Sequence, residues 1–318
     1  MFNEKTILIT GGTGTIGSFL VSKLIRTKCK KIIIFSRDEN KQFKMQNIYS
    51  DSRIEYIIGD IRNYQLVEST AATVDYVIHT AAMKQVSIAE KNPLETSMTN
   101  IIGTNNIITA SIKQHVKKVI CVSTDKAVCP SNCMGMTKGI AERLVKNSIN
   151  NICATDVVAI RLGNVIGSRG SVVPTWKDQM LHNQKITLTS ENMTRFIMTN
   201  DDVYNLLMHA FSKGCAGEII VPNMTVCNIA DLARCFCNHY GLSYENDVII
   251  SGMRKGEKMF EEIFSSEEIE YLYQVDDYYH ISNKKHANNI SVPRKSYECI
   301  PMNIDEIDKM LCSKELYI

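Results

Sequence analysis

The chain has 318 residues, 44% of them apolar and 22% charged, and 36 Lys+Arg against 34 Asp+Glu leave a formal net charge of +2. That length supports one large domain or two interlocked ones, and the near-neutral balance argues against a dedicated nucleic-acid binder. No long apolar run follows Met1, and nothing reaches the roughly 18 uninterrupted apolar residues of a membrane span. A soluble, cytoplasmic protein with neither leader nor membrane anchor is expected.

The first half alternates. "KTILIT", "KKIIIFS", "RIEYIIG", "VDYVIHTAA", "KKVICVST" and "TDVVAIRLGNV" are short β-branched runs of the kind that form buried parallel strands. Between them, "GSFLVSKLIRT", "NYQLVEST", "MTNIIGTNNIITASIKQ" and "KGIAERLVKNSIN" place apolar residues at helical spacing. This rhythm predicts an α/β fold, a Rossmann-like doubly wound parallel sheet. After about residue 166 the alternation breaks into turn-rich segments and separate helices. The expected organisation is a dinucleotide-binding domain over 1–165, joined by a return segment near 195–222, and a smaller substrate lobe drawn mainly from 166–318. No linker or internal repeat separates them, and the polar tail after about 282 is not assigned to an element.

Eleven cysteines and seven histidines raise the question of a metal. Cys129 and Cys133 lie four apart and Cys235 and Cys237 two apart, but neither pair has a partner pair at zinc-site spacing. Free thiols and no metal are expected.

"ILITGGTGTIGSFL" puts Gly11, Gly14 and Gly17 between the first strand and the first helix. Small residues there let backbone approach a pyrophosphate and direct the helix N-terminus at it. A glycine trio alone is weak, since many tight turns need one. Its place at the first strand of a complete alternating domain is the stronger signal. The second strand ends in Ser36 and Arg37, with Lys41 nearby, where an NAD enzyme would carry an acidic residue. That favours the 2′-phosphate of NADP, with NAD open because Asp38 follows directly.

"STDKAVCPSNCMGMTK" contains Lys138 with Met134 four residues before it, where a Y-x-x-x-K pattern would hold a tyrosine. Methionine can neither give nor take a proton. With "AAMKQV", "RLGNVIGSRGSVVP", "MTRF" and "RKGEK", this segment resembles the extended short-chain dehydrogenase/reductase superfamily, and within it the UDP-N-acetylglucosamine 4,6-dehydratases of polysaccharide and glycan biosynthesis. The likeness runs from residue 5 to about 280. It implies oxidation of the sugar at C4, loss of water across C5 and C6, and return of hydride to C6.

The resemblance also implies roles. Thr124 would bond the C4 oxygen, Asp125 act as general acid at the C6 hydroxyl, and Lys126 act as base at C5, provided burial lowers its ordinary pKa of about 10.4. Lys138 would hold the nicotinamide ribose. Met134 replaces the tyrosine usual in the superfamily, as in one branch of these dehydratases, so the base for the C4 hydroxyl stays open. Asp60 would meet the adenine amino group, and Ala81 and Ala82 would lie beneath the cofactor. Thr13, Thr15, Ile16, Ile61, Lys84 and Asn100 complete the expected cofactor set. On the substrate side Lys84 is expected near the sugar or phosphates, Asn164 at the pyrophosphate or N-acetyl group, and Arg169, Gly170, Ser171 and Val172 around the nucleotide. Arg195, Arg254 and Glu257 suit diphosphate and ribose.

Gln85 and "VDDYYHI" incline the resemblance towards inversion at C5, with retention open. GDP-N-acetylglucosamine as substrate, a nucleotide-sugar 4-epimerase or reductase, and a non-enzymatic NADP(H)-binding regulator are the competing readings. The superfamily usually pairs through two helices, here "LETSMTNIIGTNNIITASIKQ" and "GMTKGIAERLVKNS", so a homo-oligomer is expected.

Overall fold

A computed structural model describes residues 1–150, 154–286 and 291–312. The first half forms β1 (Thr6–Thr10), α1 (Thr15–Leu24), β2 (Lys31–Ser36), α2 (Glu39–Ile48), β3 (Ile54–Ile58), α3 (Tyr64–Ala71) and β4 (Tyr76–His79). It continues through α4 (Val86–Lys91), α5 (Pro93–Ser97), α6 (Gly103–Lys113), β5 (Lys118–Thr124), α7 (Cys133–Asn147) and β6 (Asp156–Leu162). The α/β expectation is met. Every residue of β1 is buried, as a β-branched run covered by helices on both sheet faces should be.

The second half supplies β7 (Asn164–Val165), α8 (Val172–Leu181), β8 (Ile186–Leu188), β9 (Thr194–Met198), α9 (Asn200–Lys213), β10 (Ile219–Pro222) and β11 (Thr225–Asn228). Then come α10 (Ile229–Tyr240), α11 (Tyr244–Asp247), β12 (Val248–Ile250), β13 (Leu272–Val275), β14 (Tyr278–Ile281) and α12 (Ile304–Leu311).

The main sheet has nine strands in the order β13-β14-β10-β6-β5-β4-β1-β2-β3. β3 through β10 run parallel, and the β13–β14 hairpin adds antiparallel to β10. Strand order reverses at β1, which lies between β2 and β4. The crevice beyond the strand ends at such a reversal is where doubly wound sheets bind ligands.

β7, β9 and β11 make a separate three-stranded sheet, and β8 and β12 a two-stranded one. With α8, α10 and α12 they enclose a second core around Trp176, Phe236, Leu232, Leu188 and Ile307. Within the return segment, β9 stays with this smaller unit while β10 joins the main sheet. So does the later hairpin, including "VDDYYHI". The tail packs as well: Asn303 and Glu306 cap α12 reciprocally, and its apolar side buries Ile307, Met310 and Leu311.

Among the described residues no helix is long and apolar enough to cross a membrane.

Candidate active site

The strand ends of the main sheet and the loops of the smaller unit enclose a cavity of ≈ 1150 Å³. At its floor the chain leaves β1 through Gly11, whose φ is +68° and whose Cβ, if present, would lie 2.7 Å from the Ala81 backbone nitrogen. Only glycine lets these two strand ends approach so closely. Gly14 precedes α1, whose first turn has no side-chain cap, so its N–H groups face the cavity end unclaimed. Thr13, Thr15 and Ile16 line the wall. Gly17 does not, contrary to expectation. A Cβ there would meet the Gly11 carbonyl at 2.5 Å, so this glycine serves the packing of α1 against its own loop. A cradle without room for side chains, ending in an open helix N-terminus, fits a dinucleotide pyrophosphate.

Ser36, Arg37, Lys41, Asp60, Ile61, Ala81, Ala82 and Lys84 all reach the cavity. Asp38 is committed elsewhere: it caps α2 by accepting the Lys41 N–H at 2.9 Å and pairs with the Lys41 ammonium. Arg37 is 57% exposed and 3.7 Å from Asp60. Burial opposes ionisation of Asp60, but bonds from Arg62 outweigh it and hold the carboxyl low. Asn100 is absent from the wall. It has no exposed surface and is engaged with the Met83 backbone at 2.8 and 3.0 Å and with Thr137 at 3.0 Å, so it shapes the loop after β4 instead of touching a cofactor.

The chemical groups gather where β5 ends. Thr124 and Lys126 line the cavity with Met134 and Lys138. Asp125, between them, has no exposed surface and no place in the wall. Its Oδ1 accepts the Thr124 hydroxyl at 2.9 Å and the Lys126 ammonium at 3.0 Å, while Oδ2 is buried without a partner. Lys126 also donates to Asn164 Oδ1 at 2.8 Å and lies 3.3 Å from Glu261. Asn164 is therefore engaged with the lysine, where a pyrophosphate or N-acetyl contact was expected.

Gly135 explains the tightness of this corner, because a Cβ there would lie 2.2 Å from the Lys126 carbonyl. Burial alone would lower the pKa of Lys126. The carboxylates of Asp125 and Glu261 outweigh burial and raise it, which corrects the expected lowering. Lys138 shows the opposite result: burial brings it down to about 8, with Cys121 and Glu142 resisting. Its ammonium donates to the Val122 carbonyl at 2.8 Å.

The smaller unit closes the cavity with Arg169, Gly170, Ser171, Val172, Arg195, Arg254 and Glu257. The Arg169 N–H donates to Thr15 Oγ1 at 3.1 Å and its guanidinium to the Thr13 carbonyl, so this loop straps the glycine cradle. Gly170, at φ +72°, has the Gln85 amide where a Cβ would be, and the buried Ser171 hydroxyl has no partner. Arg195 is largely engaged: it donates to the carbonyls of Thr194 at 2.8 Å, Lys258 at 2.7 Å and Met259 at 3.2 Å. It fixes the "RKGEK" loop against β9. Glu257 accepts the Arg254 N–H at 3.1 Å.

Glu261 was not singled out from the sequence. It lies three residues past "RKGEK", beside Glu262, and two adjacent glutamates read as surface. Instead it is buried against Lys126 and 3.8 Å from Arg195, with Oε2 unpartnered. Burial raises its carboxyl and Asp125 adds to the rise, against Lys126 and Arg195. Cysteines take no part; the ten described are free. The described His239, Asp308 and Cys312 place ligand-type atoms within 4.8 Å of one another, all exposed and none in the cavity wall.

The pattern of the family described as "Polysaccharide biosynthesis protein" matches residues 7–283. A protein of Rickettsia canadensis named UDP-glucose 4-epimerase is 40% identical over 287 residues, covering 88% of this chain and 84% of that protein. The X-ray structure of Pen from Bacillus thuringiensis superposes with a TM-score of 0.94 at 38% identity over 100% of both chains. DesIV, a dTDP-glucose 4,6-dehydratase from Streptomyces venezuelae solved with NAD bound, shares the fold at TM-score 0.74 and 20% identity, over 80% of this chain and 86% of that one.

Proposed function

The chain belongs to the polysaccharide biosynthesis protein family, and from that membership we propose that it is a nucleotide-sugar 4,6-dehydratase using NADP, with UDP-N-acetylglucosamine as substrate. The observation that carries this reading is the corner formed by Thr124, Asp125, Lys126 and Glu261. Two carboxyls, of Asp125 and Glu261, each lie within 3.3 Å of the one Lys126 amine. Moving hydride at C4 needs one proton acceptor. Removing a C5 proton while expelling the C6 hydroxyl needs a base and an acid together, and this corner holds both types of group.

NADP would supply the hydride acceptor at C4 and the donor at C6. Thr124 orients the C4 oxygen, Lys126 is the base at C5, and the acid comes from the carboxyls on Lys126, of which Asp125 is the sequence's candidate. Lys138 provides positive charge at the nicotinamide ribose, and Met134 packs against sugar or ring as an apolar contact. The preference for NADP is supported by Arg37 being exposed and Asp38 being tied to Lys41. Exposed Met98, Ile102, Met136 and Ile140, on the segments expected to pair, support a homo-oligomer.

A second reading has its own support: the relatives named UDP-glucose 4-epimerase would make this a 4-epimerase. Incubation with UDP-N-acetylglucosamine and no added cofactor separates the two by mass spectrometry together with proton NMR. A product lighter by one water supports dehydration. A product of unchanged mass with C4 inverted supports epimerisation and overturns the proposal.

A further inference from the structure

We propose that His239, Asp308 and Cys312 form a binding site for a thiolate-preferring divalent cation of the zinc class, and that this ion clips α12 to the smaller unit. The site lies outside the cavity wall and does not depend on the dehydratase reading. One ligand atom from each residue lies within 4.8 Å of the other two, and all three residues are exposed. The His239 nitrogen facing the thiol is Nδ1, at 3.9 Å from Cys312 Sγ. Cys312 and His239 are 73 residues apart in the chain, so no spacing pattern displays the set.

Two packed helices produce the convergence. The Cys312 N–H donates to the Asp308 carbonyl at 2.9 Å, so helical geometry holds to the end of α12. Residues four apart on a helix share a face, which puts the carboxylate and the thiol side by side. His239 stands in the last turn of α10, and its ring is held edge-on against Tyr240 with centroids 4.9 Å apart. α10 and α12 are fixed to each other by the core around Phe236, Leu232 and Ile307, and the Cys235 thiol donates to the Ile304 carbonyl at 3.8 Å. The ligands therefore come from a braced helix pair.

The donor set selects the ion. A thiolate and an imidazole favour zinc, whereas magnesium and calcium take oxygen ligands. Three protein ligands leave the fourth tetrahedral position to solvent, which reaches this exposed site freely. At bonds of about 2.0–2.3 Å, tetrahedral ligand atoms stand about 3.3–3.8 Å apart, so the widest separation closes by about 1 Å on binding. Side-chain rotation at an exposed site accomplishes that. On binding, the thiol gives its proton to solvent, and the imidazole coordinates through Nδ1 with its own proton on Nε2. One thiolate and one carboxylate then balance the two positive charges of the ion.

The consequence is mechanical. α12 is held on one side only, by Ile307, Met310 and Leu311. A metal bond from its end to α10 is a contact the unfolded chain lacks, so the ion stabilises the folded protein by mass action.

The test titrates Co²⁺ into the reduced, metal-free protein, with Zn²⁺ as competitor and Mg²⁺ as control. A near-ultraviolet thiolate-to-cobalt band should saturate at one equivalent, vanish when Zn²⁺ is added and ignore Mg²⁺. Cys312→Ser should abolish the band. His239→Ala and Asp308→Asn should keep it but weaken Co²⁺ binding by more than the about 10–100-fold that loss of an outer-shell partner costs. Alkylation resolved by peptide mass spectrometry gives a second readout. Zn²⁺ should slow labelling of Cys312 about tenfold or more, since a metal-held thiolate is not free to attack, and leave Cys129 and Cys215, the other exposed thiols among the described residues, at their own rates. Zn²⁺ should also raise the melting temperature of the wild type and not that of Cys312→Ser. No band at millimolar Co²⁺, a band that survives Cys312→Ser, or wild-type affinity in either ligand variant overturns the proposal. So does equal protection of all three thiols, which means an adventitious ion only, or an equal rise in melting temperature with and without Cys312.

Discussion

Lys138 sits almost wholly inside the protein with one carbonyl partner, and burial brings its pKa from 10.5 to about 8. Below that value the folded protein keeps the Lys138 charge, proposed to act at the nicotinamide ribose, and above it the charge is lost. Turnover should therefore fall as pH rises through about 8, and Lys138→Arg, which stays protonated, should remove that basic limb. Stability should move the other way: between about 8 and 10.5 the unfolded chain holds a proton the folded one does not, so stability rises with pH across that window. A pH–rate profile and melting curves at several pH values check both signs. At this scale Thr124, Lys126, Met134 and Lys138 were legible in the sequence because they lie within one strand-to-helix segment, where order alone places them. Glu261 was not. Its meaning depends on a loop folding back from the smaller unit, and nothing local to "MFEEIF" separates a buried glutamate from a solvated one. The raised pKa of Lys126 was illegible for the same reason, since one of its two partners is Glu261.

Elements β1 to β6 were legible because buried parallel strands are continuous apolar runs that few other environments tolerate. The β13–β14 hairpin was not, because its two four-residue strands mix Tyr, Gln and His with apolar residues and are only half covered. Its place in the main sheet matters, since the segment between β12 and β13 carries "RKGEK" and Glu261. That segment is pinned by Arg195 through the carbonyls of Lys258 and Met259, by Asn132 to Gly256 at 2.9 Å, and by Ser296 to Glu261. Ser296→Ala leaves the Glu261 N–H and Thr194 hydroxyl without a shared partner. It should cost about 1–3 kcal/mol of stability, read by denaturant titration, and lower kcat with little change in KM.

At the scale of the whole molecule, a buried charge cluster joins three separated segments of the chain. Arg161 on β6 donates to Glu142 on α7 at 2.7 Å and to Glu268 at 2.8 Å, with almost no exposure. It also donates to the Ile263 carbonyl. One guanidinium thereby ties the parallel sheet, the α7 helix that carries Lys138, and the chain that carries Glu261. Arg161→Met would strand two buried carboxylates and should cost about 3–5 kcal/mol, with a matching drop in the unfolding midpoint. No sequence pattern foretells such a cluster, because its members come from three separated segments.

The central claim is that this cavity eliminates water and does not merely move a hydride. The direct measurement is proton NMR of the product formed from UDP-N-acetylglucosamine in deuterated water. Dehydration requires a methyl group at C6, with deuterium at C5 wherever the base exchanges with solvent before returning the proton. A product that keeps its C5 proton and its C6 hydroxyl, with C4 inverted, would contradict it.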